Sequence, residues 1–158
     1  MKWTEGAIIG VDISPFSVFK DDRGWLAELF RSDEIKTDLF PEMGYISETL
    51  PGLERGPHEH VEQTDRFGFF HGSYRLFLWD ARTESESCGV RHVMDVGAKN
   101  RVVVTIPPGV VHAYKNVGIE PALVLNFPNQ LYAGKNKKEK VDEIRHEDIQ
   151  NSPFRLID

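Results

Sequence analysis

Three histidines and one aspartate fall at spacings that could build a reaction centre. His58 and His60 are two residues apart, so in a strand both side chains face the same side. A turn near Val61 to Gln63 would bring the Asp65 carboxylate back beside them. His112 follows the Pro107-Pro108-Gly109 turn and would have to arrive from another strand. Imidazole has an ordinary pKa near ~6.5, so much of it is neutral at pH 7 and able to take a proton as a general base. The same four side chains also make a three-nitrogen, one-oxygen ligand set that could hold Zn, Fe, Mn or Ni. The two readings exclude each other at His58, because a ligated imidazole is not a free base.

The elements that must position these groups read as strands. Phe67 to Phe70, Tyr74 to Trp79, Arg101 to Ile106 and Ala122 to Phe127 are short β-branched or aromatic runs, punctuated by Gly72, Gly97, Pro107 to Gly109, Gly118 and Pro128. Tyr74, Leu76 and Leu78 alternate with Arg75, Phe77 and Trp79, so both faces of that strand are expected to be covered. Runs at this spacing point to a sandwich or barrel. Helical signal is weak and confined to the ends: Ser32-Asp33-Glu34-Ile35 is expected to open a short helix before Pro41, with Ser32 as its cap. Lys135 to Glu147 is charged throughout apart from Val141 and Ile144, and reads as a solvated turn or short helix. Gly56, Gly72 and Gly109 read as turn residues, and His71, His92 and His146 as surface or structural.

The totals fit one domain over residues 1–158 with a substantial core. Apolar residues at 40% and charged residues at 28% are ordinary globular proportions. A formal charge of -6 argues against nucleic acid as a partner, though a few arginines in a cleft can still draw a small anion. No apolar stretch approaches the ~20 residues of a membrane span, and Lys2-Trp3-Thr4-Glu5 is not the start of a signal peptide. The lone Cys88 suits a reducing compartment, so a cytoplasmic location is expected.

Gly52 through His58, His60 and Asp65 to Gly72, and then Pro107 through Gly109 and His112 to Asn116, resemble the two cupin motifs, with Asp65 where cupins usually place Glu. An all-β cupin fold, a double-stranded β-helix or jelly-roll barrel, is therefore expected. Within cupins the chain resembles the dTDP-4-dehydrorhamnose 3,5-epimerases. Asp22-Arg23-Gly24-Trp25 with Glu28-Leu29-Phe30 is similar to that family's N-terminal signature. Arg55-Gly56-Pro57-His58 is similar to its R-G-L-H, Asp80-Ala81-Arg82 to its D-x-R, and Pro107 to His112 to its P-x-G-x-x-H.

The resemblance implies a nucleotide-sugar epimerase or isomerase working beside the 4-keto group of a 4-keto-6-deoxyhexose linked to dTDP or a similar nucleotide. A base removes the neighbouring proton, an enolate forms, and reprotonation inverts the carbon. It implies His58 as the base, with Tyr132 as the other catalytic candidate. It implies substrate contacts from Arg23, Glu28, Arg55, His112 and Asn126, partly across a homodimer interface, and no cofactor. Three positions depart from the family. Its lysine falls on Asp65, its general-acid tyrosine falls on Asn126, and the aspartate that partners its histidine has no match. A metal held by His58, His60, Asp65 and His112 would restore the positive charge that an enolate needs. Two further readings thus stand beside the epimerase: a metal-dependent cupin enzyme, and a non-catalytic binder of sugar nucleotides.

Overall fold

The computed structural model describes residues 2–157, and its regular structure is almost entirely strand. The chain begins with β1 (Thr4–Glu5) and β2 (Asp12–Pro15), followed by a hairpin of β3 (Ser17–Asp21) and β4 (Gly24–Glu28). Then come β5 (Tyr45–Thr49), β6 (Glu54–Glu59), β7 (Asp65–Phe69), β8 (Ser73–Asp80), β9 (Val90–Gly97), β10 (Val102–Ile106), β11 (Val110–Asn116), β12 (Ala122–Asn126) and β13 (Ile144–Arg145). One sheet runs β1-β9-β8-β11-β6-β13 and the facing sheet β2-β10-β7-β12-β5, while β3 and β4 pair only with each other. This is the two-sheet jelly roll expected of a cupin. Consecutive strands such as β6 and β7 lie in different sheets, so the two motifs converge on the space between them.

The core explains why the sequence chooses strands. Val102, Val103, Val104 and Ile106 on β10 are all buried, as β-branched residues on a strand covered on both faces would be. On β8 the alternation separates two clusters. Tyr74, Leu76 and Leu78 point between the sheets, while Phe77 and Trp79 pack on the outer face against Phe154, with Trp3 and Leu156 beside them. Both faces are therefore covered, as the sequence pattern requires. Between the sheets Phe67, Phe69, Tyr74 and Tyr114 meet edge-to-face, with ring centroids 5.3–5.7 Å apart where Tyr114 is one partner.

Three local expectations are corrected. Residues 32–35 form a turn, and a 3-10 helix follows at Thr37–Leu39, its N-cap position being Lys36 rather than Ser32. Gly56 is not a turn residue: it lies inside β6 with φ +80°, and a Cβ there would sit 2.5 Å from the His112 carbonyl oxygen. That close approach accompanies an irregularity in the β6–β11 pairing, just where His58 comes opposite His112. The segment from Lys135 to Glu147 is more than a solvated turn. After a 3-10 stretch at Lys135–Lys137 it supplies β13, which adds to the edge of β6. No helix among the described residues is long and apolar enough to cross a membrane.

Candidate active site

His58 from β6, His60 just beyond it, Asp65 at the start of β7 and His112 from β11 meet in one cluster. One ligand-type atom from each lies within 4.8 Å of the other three. The two motifs thus come together as their spacing predicts. The turn at Val61 to Gln63 is held from outside: the Asp142 carboxylate accepts the backbone N–H groups of Val61 (2.8 Å), Glu62 (2.9 Å) and Gln63 (2.8 Å). The Asp142 carbonyl also accepts from His60 Nδ1.

This second set of bonds fixes the electronics. His60 and His112 each use Nδ1 against a carbonyl oxygen, that of Asp142 and that of Val110 (3.1 Å) respectively. A carbonyl can only accept, so Nδ1 carries the proton in both rings. Both Nε2 atoms then face the same oxygen, Asp65 Oδ2, at 3.1 and 3.2 Å. Two lone pairs aimed at a carboxylate oxygen would repel, so a proton or a cation must lie between. Burial opposes a charge on His60, but the hydrogen bond and charge of Asp65 outweigh it and push its pKa up to about 9. Burial likewise opposes a charge on Asp65, yet the bonds from His112 and His60 hold its carboxyl well below the usual range. His58 goes the other way. Burial first, and then the neighbouring His112 and His60, push it down to about 2, which leaves its imidazole neutral.

Asn126 ties the cluster to the facing sheet. Its Oδ1 accepts the Arg66 backbone N–H (3.0 Å), and its Nδ2 donates to Asp65 Oδ1 (2.8 Å) and to the Tyr45 hydroxyl oxygen (3.0 Å). A cavity of about 1250 Å³ opens above, walled by Tyr45, Ser47, Arg55, His58, Phe67 and Tyr114, and reached at its rim by Tyr132. Arg55 is held at the wall, its Nη2 donating to the Glu48 carbonyl (2.8 Å) and its Nε to Thr49 Oγ1 (3.3 Å).

The C-terminal segment completes the cavity. Register pairing of Arg145 with His58 brings Glu143 Oε1 within 3.8 Å and Glu147 Oε1 within 4.0 Å of His58 Nδ1. The sequence reading missed Asp142, Glu143 and Glu147, because a mostly charged run looks solvated when the strand that receives it is unknown. The one signal was Val141 and Ile144, whose apolar side chains break the charge. Tyr45 was missed as well, since nothing in its local sequence marks it.

Four expected contacts do not line the cavity of this chain: His112 and Asn126 are buried behind it, and two others stand away from it. Arg23 sits at the tip of the β3–β4 hairpin, its side chain 90% exposed and paired with Asp21. Glu28 ends β4 and pairs with Arg31 Nη1 at 3.3 Å. The hairpin also holds Phe19, Trp25 and Leu26 at the surface. The motif-free histidines have structural partners: His92 Nδ1 meets the Gly6 carbonyl (3.0 Å), and His146 meets Glu59 Oε1 (2.8 Å) and stands edge-on to Phe154.

Comparison with known proteins gives a consistent picture. A family model described as the polysaccharide biosynthesis C-terminal domain matches residues 19–140. A protein of Haloferax volcanii described as the probable low-salt glycan biosynthesis epimerase Agl13 is 37% identical over 123 residues, 77% of this chain and 79% of that protein. The spore coat polysaccharide biosynthesis protein SpsL of Bacillus subtilis is 32% identical over 133 residues, 84% of this chain and 87% of that protein. Among solved structures, a dTDP sugar isomerase from Desulfovibrio desulfuricans G20 superposes with a TM-score of 0.78 at 24% identity, covering 94% of this chain and 91% of its own. The dTDP-4-dehydrorhamnose 3,5-epimerase of Elizabethkingia anophelis NUHP1 superposes with a TM-score of 0.72 at 24% identity, covering 92% of this chain and 79% of its own.

Proposed function

The chain belongs to the polysaccharide biosynthesis C-terminal domain family, and from that premise we propose that it is a single-domain nucleotide-sugar epimerase or isomerase. Its substrate is a 4-keto-6-deoxyhexose carried on dTDP or a similar nucleotide. The observation that carries this reading is the placement of His58: an imidazole facing a large cavity, with the Glu143 and Glu147 carboxylates within 4.0 Å of its Nδ1, where its charge would form. His58 takes the proton beside the ketone, and Glu143 and Glu147 favour the imidazolium that results. Asp65, which stands where the family has a lysine, does not make the floor negative, because His60 is held as its cation. Arg55 binds the pyrophosphate, His112 and Asn126 shape the sugar end, and Tyr132 closes the rim. Arg23 and Glu28 reach substrate from the hairpin of a second copy, whose docking covers Phe19, Trp25 and Leu26 and makes the active form a homodimer. The exposed lone thiol of Cys88 agrees with a cytoplasmic setting.

A second reading is favoured by the cluster itself. Asp65 Oδ2 lies 3.1 and 3.2 Å from the Nε2 atoms of His60 and His112, edge lengths that suit a metal coordination shell. Carbonyls on the opposite ring nitrogens are the usual support for metal-bound histidines. His58, His60, Asp65 and His112 would hold a divalent ion, which would act as a Lewis acid toward the ketone oxygen. One experiment separates the readings. Exchange of the sugar protons with deuterium oxide is followed by NMR on a dTDP-4-keto-6-deoxyhexose, with and without chelator, alongside elemental analysis. The epimerase needs no metal, and His58→Asn then lowers exchange by ~10²–10⁴. Exchange that disappears with chelator and returns with added metal would establish the metal enzyme instead. Nucleotide binding with no exchange under any condition would leave a binding protein.

A further inference from the structure

Inverting a carbon needs two proton-handling groups, one on each face of the sugar, and only the base has been placed so far. We propose that Tyr45 is the general acid, delivering its phenolic proton to the face of the sugar opposite His58. This rests on the epimerase reading above. Tyr45 opens β5 in one sheet and His58 lies on β6 in the other, so the two groups stand on facing walls of the same cavity. The hydrogen bonding of Tyr45 decides the direction of its proton. Asn126 Oδ1 accepts the Arg66 N–H, so the atom that meets Tyr45 Oη at 3.0 Å is the amide nitrogen. An amide nitrogen only donates, and the phenol oxygen is therefore the acceptor. The Tyr45 proton is not used in that bond and is free for the cavity.

The other candidates are placed less well. Tyr114 lies on β11, in the same sheet as His58, and its hydroxyl is 3.2 Å from Ser47 Oγ in the buried wall. Tyr132 belongs to the rim, 53% exposed against 41% for Tyr45, and among the described residues no hydrogen bond orients its hydroxyl as Asn126 orients that of Tyr45. Asn126 itself has no proton to give at neutral pH, yet it equips Tyr45 for the role. As the phenol gives up its proton, the Asn126 N–H stays in place to stabilise the phenolate. Asn126 is thus a positioning residue for Tyr45.

The step balances. The C–H bond beside the ketone breaks, the proton passes to His58, and the electron pair spreads into the ketone as an enolate. The Tyr45 O–H bond breaks, its proton forms the new C–H bond on the opposite face, and Tyr45 is left as phenolate. Solvent returns the proton from His58 to Tyr45, and nothing is oxidised or reduced. Burial, and then the charge of Asp65, push Tyr45 up to about 12, still far more acidic than the carbon it serves.

The test is Tyr45→Phe on the full chain with a dTDP-4-keto-6-deoxyhexose in deuterium oxide, reading inversion and deuterium uptake separately by NMR. Tyr45→Phe should lower inversion by ~10²–10⁴ while deuterium still enters the carbon with retention, since His58 can return a proton to the face it came from. His58→Asn should lose both. Thermal melting near that of the wild type shows that the variant is folded, as expected when the ring is kept. Inversion by Tyr45→Phe within tenfold of wild type would overturn the assignment. So would retention-only uptake in Tyr132→Phe, which would move the acid to the rim. A wild type that neither inverts nor exchanges would instead bring down the epimerase reading on which the assignment rests.

Discussion

The cavity floor and the β3–β4 hairpin carry the two halves of one sugar-nucleotide signature, and they are built in opposite ways. On the floor, Asp65 is buried, accepts from Asn126 Nδ2 and Gln63 Nε2, and lies 3.1 and 3.2 Å from the Nε2 atoms of His60 and His112; Asn126, His60 and His112 are each held again from behind by backbone. Every group has one orientation, which is what a reaction needs. At the hairpin, Arg23 pairs only locally with Asp21, beside the exposed Phe19, Trp25 and Leu26. The floor is finished within one chain, whereas the hairpin leaves its arginine and its large apolar side chains exposed. A residue's role in this protein is therefore set by which wall it belongs to as much as by its type.

Arg55 gives the largest expected effect on binding, and it is the point where the comparison is easiest to break. It belongs to the cavity wall, anchored through Glu48 and Thr49, so it should bind nucleotide without help from a partner. Arg55→Ala should weaken dTDP binding ten- to hundredfold, corresponding to about 1.5–3 kcal/mol for a charge-assisted contact. Arg55→Lys should also weaken it, because a point charge does not reproduce the fork. Calorimetry showing an unchanged Kd for both variants would remove Arg55 from the site and leave the wall without its anion contact.

The floor should also show itself in stability against pH. The His60 pKa is raised in the folded protein from an ordinary value near ~6.5 to about 9. A raised pKa means that the folded state binds the proton more tightly. The contribution is then complete below about pH 6.5 and lost as pH rises through 9. Asp65, whose pKa is lowered, contributes above the ordinary carboxylate range near ~4 and loses its contribution as pH falls further. The melting temperature should therefore have a plateau between about pH 5 and 6.5 and decline toward pH 9. His60→Gln should flatten the alkaline decline. An alkaline decline that persists unchanged in His60→Gln would show that the pair is not a proton-sharing one.

Most of the floor was legible in the sequence, because two motifs of fixed spacing impose a strand, a turn and a return. His58, His60, Asp65 and His112 meet as their order implies. The barrel was legible from β-branched runs such as Val102 to Ile106, and from the two-sided alternation of Tyr74 to Trp79. What could not be read depends on pairing between distant segments. Glu143 reaches His58 because β13 adds to β6, and Tyr45 reaches the cavity because it pairs with Asn126 across β5 and β12. Neither register leaves a mark in the local sequence, since it is fixed by the edges that other strands leave open. Gly56 misled for a related reason: its freedom serves a close approach by β11, where a turn was the natural reading of Arg-Gly-Pro.

The hairpin gives the smallest expected effect and the sharpest form of the comparison. If Arg23 works only across an interface, then its contribution must vanish when the interface does. Trp25→Glu puts a charge on the apolar face of the hairpin and should convert a dimer of 18.1 kDa chains to monomer by light scattering, with the melting temperature little changed. Trp25 also carries the Arg101 guanidinium 4.6 Å from its ring centroid, so Leu26→Asp, which leaves that contact intact, is the companion variant. Arg23→Ala should weaken nucleotide binding less than tenfold in the dimer, since an arginine so exposed loses much of its strength to solvent. In the monomeric background the same change should do nothing further, so the two effects are non-additive in a double-mutant cycle. Additive effects would mean that Arg23 serves its own chain's cavity, and wild-type chains that scatter as monomers at micromolar concentration would mean that the hairpin docks elsewhere.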